Sequence, residues 1–211
     1  MPTAKEYWEE QYEAIEVASC DFSRGKPSIA LTSFCEKHLE KNAAVLDLGC
    51  GGGRNAHYLA QMGHKICGVD IAAEAVQLCR SRFALHNLSG EFIRGTFDHI
   101  PFPDNHFAGV ICIAALDHVT HETAQTAIIE IRRVLVPHGP LLLTFDPPDT
   151  DDDSLDEAEV LDDGTLVFVR GEQNGMVFRR YRDEEIRLLL GAQRIVSFDY
   201  SDSGTRIVVC R

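Results

Sequence analysis

Two carboxylates and a cluster of glycines carry the chemistry of this chain. Asp47 stands within the apolar run Val45-Leu46-Asp47-Leu48, and Gly49, Gly51 and Gly53 follow at alternate positions, with Gly52 between the last two. Glycine at that density marks a backbone that needs positive φ, or one that a ligand must approach closely. Farther on, the run Lys65-Ile-Cys-Gly-Val-Asp70 ends in a second acid, at the place where a carboxylate binds ribose hydroxyls. From Arg54 the apolar residues Ala56, Leu59, Ala60 and Met62 begin a helix. A strand, a glycine turn and a helix N-terminus make a nucleotide-type site, because free backbone N–H groups and the helix dipole face whatever occupies the turn.

The dinucleotide fingerprint G-x-G-x-x-G, started at Gly49, would put glycine at position 54, where Arg54 stands. That third glycine lets the helix pack tightly on the strand, so a NAD reading is weakened, though it stays in play. Asp47 sits badly against a pyrophosphate and suits a ligand with a positive amino group. S-adenosylmethionine meets all of these demands: it has a ribose, an α-amino group, an α-carboxylate and no phosphate.

VLDLGCGGGRN followed by GHKICGVDIA resembles the first two motifs of the class I S-adenosylmethionine-dependent methyltransferases. Within that family, the GRN step with LAQMGH after it resembles the small-molecule enzymes of the tellurite-resistance and thiopurine type. GTFDHIPFPDNHF is similar to the family segment G-D-A-x-x-L-P-F-x-D-x-S-F, whose acid binds the adenine amino group. Here Thr96 holds the acid's place and Phe97 the small residue's. A threonine hydroxyl still accepts a hydrogen bond, and Phe97 can pack on the adenine face. RVLVPHG, residues 133–139, resembles the family's R-x-L-K-P-G-G turn. The resemblance implies cofactor contacts at Asp47, Gly49, Cys50 and Gly51, at Asn55, at Asp70 and Ile71, and at Thr96, Phe97 and Ile113. It also implies that residues 1–42 fold across the cleft as a helical lid, with Tyr7, Trp8, Tyr12 and Arg24 lining a substrate pocket. An aromatic face packed on the domain is the competing reading of the three aromatics.

The elements that must position these residues follow in order. Tyr7, Trp8, Tyr12, Ile15 and Val17 recur at near-helical steps and predict an amphipathic helix; residues 21–27 read as a loop and 28–39 as a second helix behind Pro27. Residues 43–146 then alternate strand and helix, the pattern of a parallel sheet. Strands are expected at 65–69, 91–95, 108–113 and 140–145, and helices at 72–83 and 123–134. Residues 147–182 form a variable, substrate-side insertion with a hairpin, 159–161 and 165–169, around Asp162-Asp-Gly164. Residues 183–211 supply a helix at 183–190, capped by Asp183, and an antiparallel strand pair at 194–200 and 205–210. The expected fold is α/β in one domain: a Rossmann-like, seven-stranded, mostly parallel sheet with its last strand antiparallel and helices on both faces. In such sheets ligands collect at the carboxyl ends of the strands where strand order reverses. The first and fourth strands flank that point, so Asp117 and His118 should face the transferable methyl.

Composition removes several classes. A net charge of −13 over 211 residues with no long basic stripe makes nucleic acid a poor partner. No apolar run approaches a membrane span, and MPTAKEYWEEQ is too polar for a signal peptide. The seven cysteines include no C-x-x-C pair and read as reduced core thiols of a cytoplasmic protein, with no metal site. The aspartates at 149–153 read as a solvated loop. Oligomeric state is left open.

Methyl transfer from a sulfonium is an in-line displacement, so the protein mainly orients and desolvates. A base is needed only for a protonated acceptor. His118 is the candidate base, since imidazole titrates near neutrality; its other reading is a residue that caps the following helix or orders the loop. Arg179 and Arg180, beside Tyr181, either bind an anionic or soft acceptor or are solvated strand residues. The expected function is methyl transfer from S-adenosyl-L-methionine, leaving S-adenosyl-L-homocysteine, to a small molecule. A non-catalytic cofactor-binding scaffold and a NAD(P)-binding oxidoreductase are the alternatives.

Overall fold

The computed structural model describes residues 2–13, 15, 27–147 and 153–211. Val17, Cys20, Arg24 and most of the aspartate run lie outside the described residues.

The chain opens with α1 (Ala4–Glu13) and α2 (Ile29–His38), then alternates β1 (Ala44–Leu48), α3 (Arg54–Gln61), β2 (Lys65–Asp70), α4 (Ala73–Leu85) and β3 (Gly90–Arg94). β4 (Gly109–Cys112), α5 (His121–Val134) and β5 (Leu141–Phe145) complete the parallel part. Three short strands follow, β6 (Ala158–Val160), β7 (Leu166–Phe168) and β8 (Val177–Phe178), before α6 (Asp183–Leu190), β9 (Ile195–Tyr200) and β10 (Arg206–Cys210). The main sheet has seven strands in the order β3-β2-β1-β4-β5-β10-β9. β1 pairs in parallel with both β2 and β4, and β10 runs antiparallel to β5 and β9. This is the expected Rossmann-like architecture. β6, β7 and β8 form a separate antiparallel sheet beside it.

Strand sequence explains why the sheet is covered twice. β4 and β5 are buried at every residue, as parallel strands under helices on both faces must be. Within β1 the side chains alternate. Leu46 and Leu48 join Ile128 and Ile131 of α5 and Leu190 of α6 on one face, whereas Val45 joins Leu31 and Phe34 of α2, Leu59 of α3 and Val76 of α4 on the other. A third, smaller cluster unites Tyr7 of α1 with Leu166, Phe168, Met176 and Phe178 of the small sheet. α1 is therefore held by the small sheet through Tyr7, by α4 packed against it, and by the main sheet through an ion pair of 3.4 Å between Glu9 and Arg94.

One capping expectation is corrected. Arg182, not Asp183, is the N-cap of α6, and its N–H donates to Glu185 Oε2 at 2.8 Å. The Asp183 carboxylate instead accepts from the Tyr200 hydroxyl and lies 3.7 Å from Arg206 Nε.

Candidate functional site

β1 ends at the point where strand order reverses, and the turn Gly49–Gly53 carries the chain into α3. Gly49, Gly51 and Gly53 all have positive φ, from 48° to 83°. A Cβ on Gly49 would stand 2.6 Å from the Ala115 Cβ and 3.1 Å from Phe97 Cζ, so only glycine fits there. The turn is bonded from below: the N–H groups of Gly49 and Cys50 donate to the Val69 carbonyl at 2.8 and 3.1 Å. Asp70 ties it to the second strand, with Oδ2 accepting from Gly51 N–H at 2.8 Å and Oδ1 from Ala72 N–H at 3.0 Å. Burial pushes the Asp70 pKa up against those bonds.

The turn borders a cavity of about 300 Å³. Gly49, Asp70, Ile71, Thr96, Phe97 and Ala115 form one half. His118, Val119, Thr120, Thr123 and Val177 form the other. Ala4, Trp8 and Tyr12 roof it; they are spaced by four along α1 and so share one helix face. The Tyr12 hydroxyl fills the space that a Gly51 side chain would take.

Asp47 lies one layer behind this wall. It is 1% exposed, and its Oδ2 has no partner among the described residues. Burial, with the charge of Asp70 adding to it, pushes its pKa up to about 7. A buried carboxylate in this condition is stabilised by a cationic neighbour.

His118 closes the short helical turn Leu116–His118 that follows β4. Trp8 meets its ring edge-on with centroids 5.1 Å apart, and Phe178 lies 5.3 Å away on another side. Nδ1 is buried with no partner among the described residues. Burial lowers the His118 pKa, partly offset by the Asp146 charge and the Val177 carbonyl. The capping alternative fails: Thr120 caps α5, its Oγ1 accepting from Thr123 N–H at 3.3 Å.

Of the expected site residues, Gly49, Asp70, Ile71, Thr96, Phe97, Trp8, Tyr12 and His118 share this cavity. Asp117 does not face it: the side chain is 1% exposed, accepts from Asp146 N–H at 2.6 Å, and is pushed up to about 7 by burial. Tyr7 points into the small-sheet cluster. Both readings of Arg179 are overturned, because it is buried and holds Glu185 at 2.8 Å and Asp163 at 3.6 Å. Arg180, Asn55, Gly51, Cys50 and Ile113 are not in the wall; Cys50 is buried with its sulfur 4.0 Å from that of Cys79, and Ile113 packs against the core cluster on the α2 face. Ala114 and Ala115, Thr120, Thr123 and Val177 escaped the sequence reading. The alanines had a signal: two small residues at the end of β4 make room opposite a glycine turn. Val177 had none, since its place depends on how the small sheet docks.

Residues 45–139 match the family described as "Methyltransferase domain". The chain is 35% identical over 103 residues to the fatty-acid O-methyltransferase of Mycolicibacterium smegmatis, a match covering 47% of this chain and 36% of that protein. The match thus spans little more than a third of that relative's length. Among solved structures, the PH0226 protein of Pyrococcus horikoshii OT3 superposes with a TM-score of 0.77 at 23% identity, over 96% of this chain and 98% of that one. A SAM-dependent methyltransferase from Methanosarcina mazei superposes with a TM-score of 0.72 at 21% identity, over 84% of this chain and 95% of that one.

Proposed function

We propose that this chain is a class I S-adenosylmethionine-dependent methyltransferase that acts on a small molecule, a reading supported by the methyltransferase-domain match over residues 45–139 and by the 35% identity to the M. smegmatis enzyme. One observation carries the reading: a side-chain-free turn at positive φ and the Asp70 carboxylate border the same cavity as His118 and Trp8. The site's residues fit the donor. Gly49 leaves open a cradle that a Cβ would fill, and Asp47 has a buried oxygen in want of a cation.

In this reading Asp70 holds the ribose hydroxyls, and Asp47 compensates the amino group through the turn. Thr96 and Phe97 receive the adenine, with Ile71 beside it. Cys50, Gly51, Asn55 and Ile113 shape the turn and strand end from behind. When bound, the donor supplies an electrophilic methyl on a sulfonium. α1 is the lid, and Trp8, Tyr12 and His118 define where the acceptor stands. The M. smegmatis relative, named for a fatty-acid substrate, supports a small molecule as acceptor. The likeness to the tellurite-resistance and thiopurine type rests on Arg54-Asn55 and the stretch 59–64 alone. Six described cysteines are free thiols, five of them buried, which supports a reducing, cytoplasmic setting.

Calorimetry tests this directly. S-adenosylhomocysteine is expected to bind and NAD is not, and Asp70→Ala is expected to weaken the former; heat from NAD alone would return the oxidoreductase. Labelled-methyl transfer across hydroxyl, thiol, amine and oxyanion acceptors then separates an enzyme from a cofactor-binding scaffold.

A further inference from the structure

We infer that the acceptor is an uncharged, planar aromatic ring bearing a weakly acidic hydroxyl, stacked at Trp8 and giving up its proton to His118 Nδ1. The inference rests on the methyltransferase reading and narrows it to a substrate class.

Three observations lead there. The indole of Trp8 is pre-set, with the Tyr7 ring edge-on at 5.1 Å and 76° and the His118 ring at 5.1 Å and 84°. Phe97 and Tyr12 add further aromatic wall. Such a slot favours an offset or edge-on ring over an alkyl chain, since aromatic quadrupoles add to simple burial. The charges point the same way. Asp70 and Asp98 border the cavity, and no Lys or Arg does among the described residues, so a carboxylate or oxyanion acceptor meets like charge.

The third observation is the idle Nδ1. The Val177 carbonyl engages the ring, and Nδ1 is left buried without a partner among the described residues. A buried acceptor of this kind is waiting for a donor. An aromatic hydroxyl supplies one and is acidic enough for a neutral imidazole to take its proton as the bond forms. An aliphatic alcohol is far too weak an acid, and a neutral amine needs no base. In the transfer, the hydroxyl oxygen uses a lone pair to bond the methyl carbon while the carbon–sulfur pair stays on sulfur. The O–H proton passes to Nδ1 and then to solvent, leaving an aryl methyl ether, the thioether product and one proton.

The test uses the whole protein loaded with S-adenosylhomocysteine and three bicyclic probes of similar size: 2-naphthol, 2-naphthoate and decahydro-2-naphthol. Calorimetry is expected to show 2-naphthol binding at least tenfold more tightly than the other two. Trp8 is the single tryptophan, so its one indole N–H resonance should shift saturably with 2-naphthol. With S-adenosylmethionine, His118→Phe keeps an aromatic wall but has no acceptor nitrogen. It should lose about a hundredfold in kcat at neutral pH and regain rate as 2-naphthol ionises in alkali, whereas the unaltered protein should already be on a plateau. The groups facing His118 are Trp8 from α1, Asp146 after β5, and Val177 and Phe178 of β8, so burial extends this plateau toward lower pH and the Asp146 charge partly offsets it. If S-adenosylhomocysteine binds but 2-naphthoate or the saturated alcohol matches 2-naphthol, the inference is overturned. It is equally overturned if His118→Phe keeps its neutral-pH rate. Failure of S-adenosylhomocysteine to bind at all removes the methyltransferase reading and this one with it.

Discussion

The two halves of the cavity are built in different ways. The turn half comes mainly from strand ends and a bend of backbone: Gly49, Asp70 and Ala115 sit on adjacent parallel strands or just beyond them, and bonds between Asp70 and backbone N–H groups hold the geometry. The roofed half is assembled from side chains on α1, on the turn after β4, at the start of α5 and on β8. These segments are brought together by the small apolar cluster that Tyr7 and Phe178 share and by the edge-on contact of Trp8 with His118. Strand pairing fixes the first half; docking of a helix and a small sheet fixes the second. The turn half should therefore be intolerant of single atoms, and the roofed half tolerant of substitution and adjustable toward its ligand.

The sharpest way to break this contrast is to fill the turn. Gly49→Val adds branched carbons where a Cβ already comes within 2.6 Å of Ala115, at a φ of +75°. S-adenosylhomocysteine affinity is expected to fall by roughly a hundredfold or more, the cost of strain plus blocked approach. Calorimetry measures that loss, and a melting curve shows whether the fold survives. Retained affinity would mean that the ligand does not use the cradle.

Asp70→Ala comes next. It strips acceptors from the N–H groups of Gly51 and Ala72, both buried bonds. Leaving those donors unpaired costs on the order of 1–3 kcal/mol, and the proposed ribose contact is lost besides. A tenfold or greater drop in affinity with a lowered Tm is the expected result.

The same contrast governs how much could be read beforehand. Asp47, the glycines and Asp70 were legible because strand ends and positive φ leave their mark in local sequence; the strand–helix alternation marked a parallel sheet, and the family resemblance supplied its reversed last strand. Asp117 was misread through the same logic: it is next to His118 in sequence, but the short helical turn sends adjacent side chains apart, one into the cavity and one toward Asp146. Arg179 was misread because its partners Asp163 and Glu185 come from a hairpin and a helix that only the folded chain brings together. Thr120 shows that a cap is settled by backbone conformation one or two residues away from the more conspicuous histidine.

Trp8→Ala probes the roofed half. In the proposed reading the indole stands on the acceptor side, so KM for the acceptor is expected to rise about tenfold, the scale of one lost aromatic contact. The affinity for S-adenosylhomocysteine should move much less. An equal loss on both sides would show that the roof belongs to the donor site as well.

A smaller effect lies between the halves, in the pH dependence of stability. Asp117 is pushed up to about 7 by burial, against roughly 3.9 for a free aspartate. In the folded chain it holds a proton that the unfolded chain has released. Its contribution is full below about pH 4 and fades as pH rises through 7. The lowered pKa values of His57 and His118 act in the opposite sense across part of that window, so the readout is a difference. Relative to the unaltered protein, Asp117→Asn should gain on the order of 5 °C in Tm between about pH 5 and pH 8. A constant difference would mean that Asp117 stays ionised.

The least effect is expected from Glu9→Gln. Glu9 meets Arg94 at 3.4 Å with side chains 26% and 46% exposed, and an exposed pair of this kind contributes roughly 0–1 kcal/mol. Tm should change by no more than about 2 °C. The pair nonetheless joins α1 to β3 on the side opposite Tyr7, so it can influence the roof while adding little to global stability. Stopped-flow dissociation of S-adenosylhomocysteine separates the two roles. If apolar packing at Tyr7 holds the roof, the off-rate changes by less than about threefold and is nearly independent of salt. A tenfold faster release, reproduced in the unaltered protein by raising ionic strength, would instead make the charge pair the latch. The roofed half would then be governed by electrostatics at its rim, and its tolerance of substitution would end at Arg94.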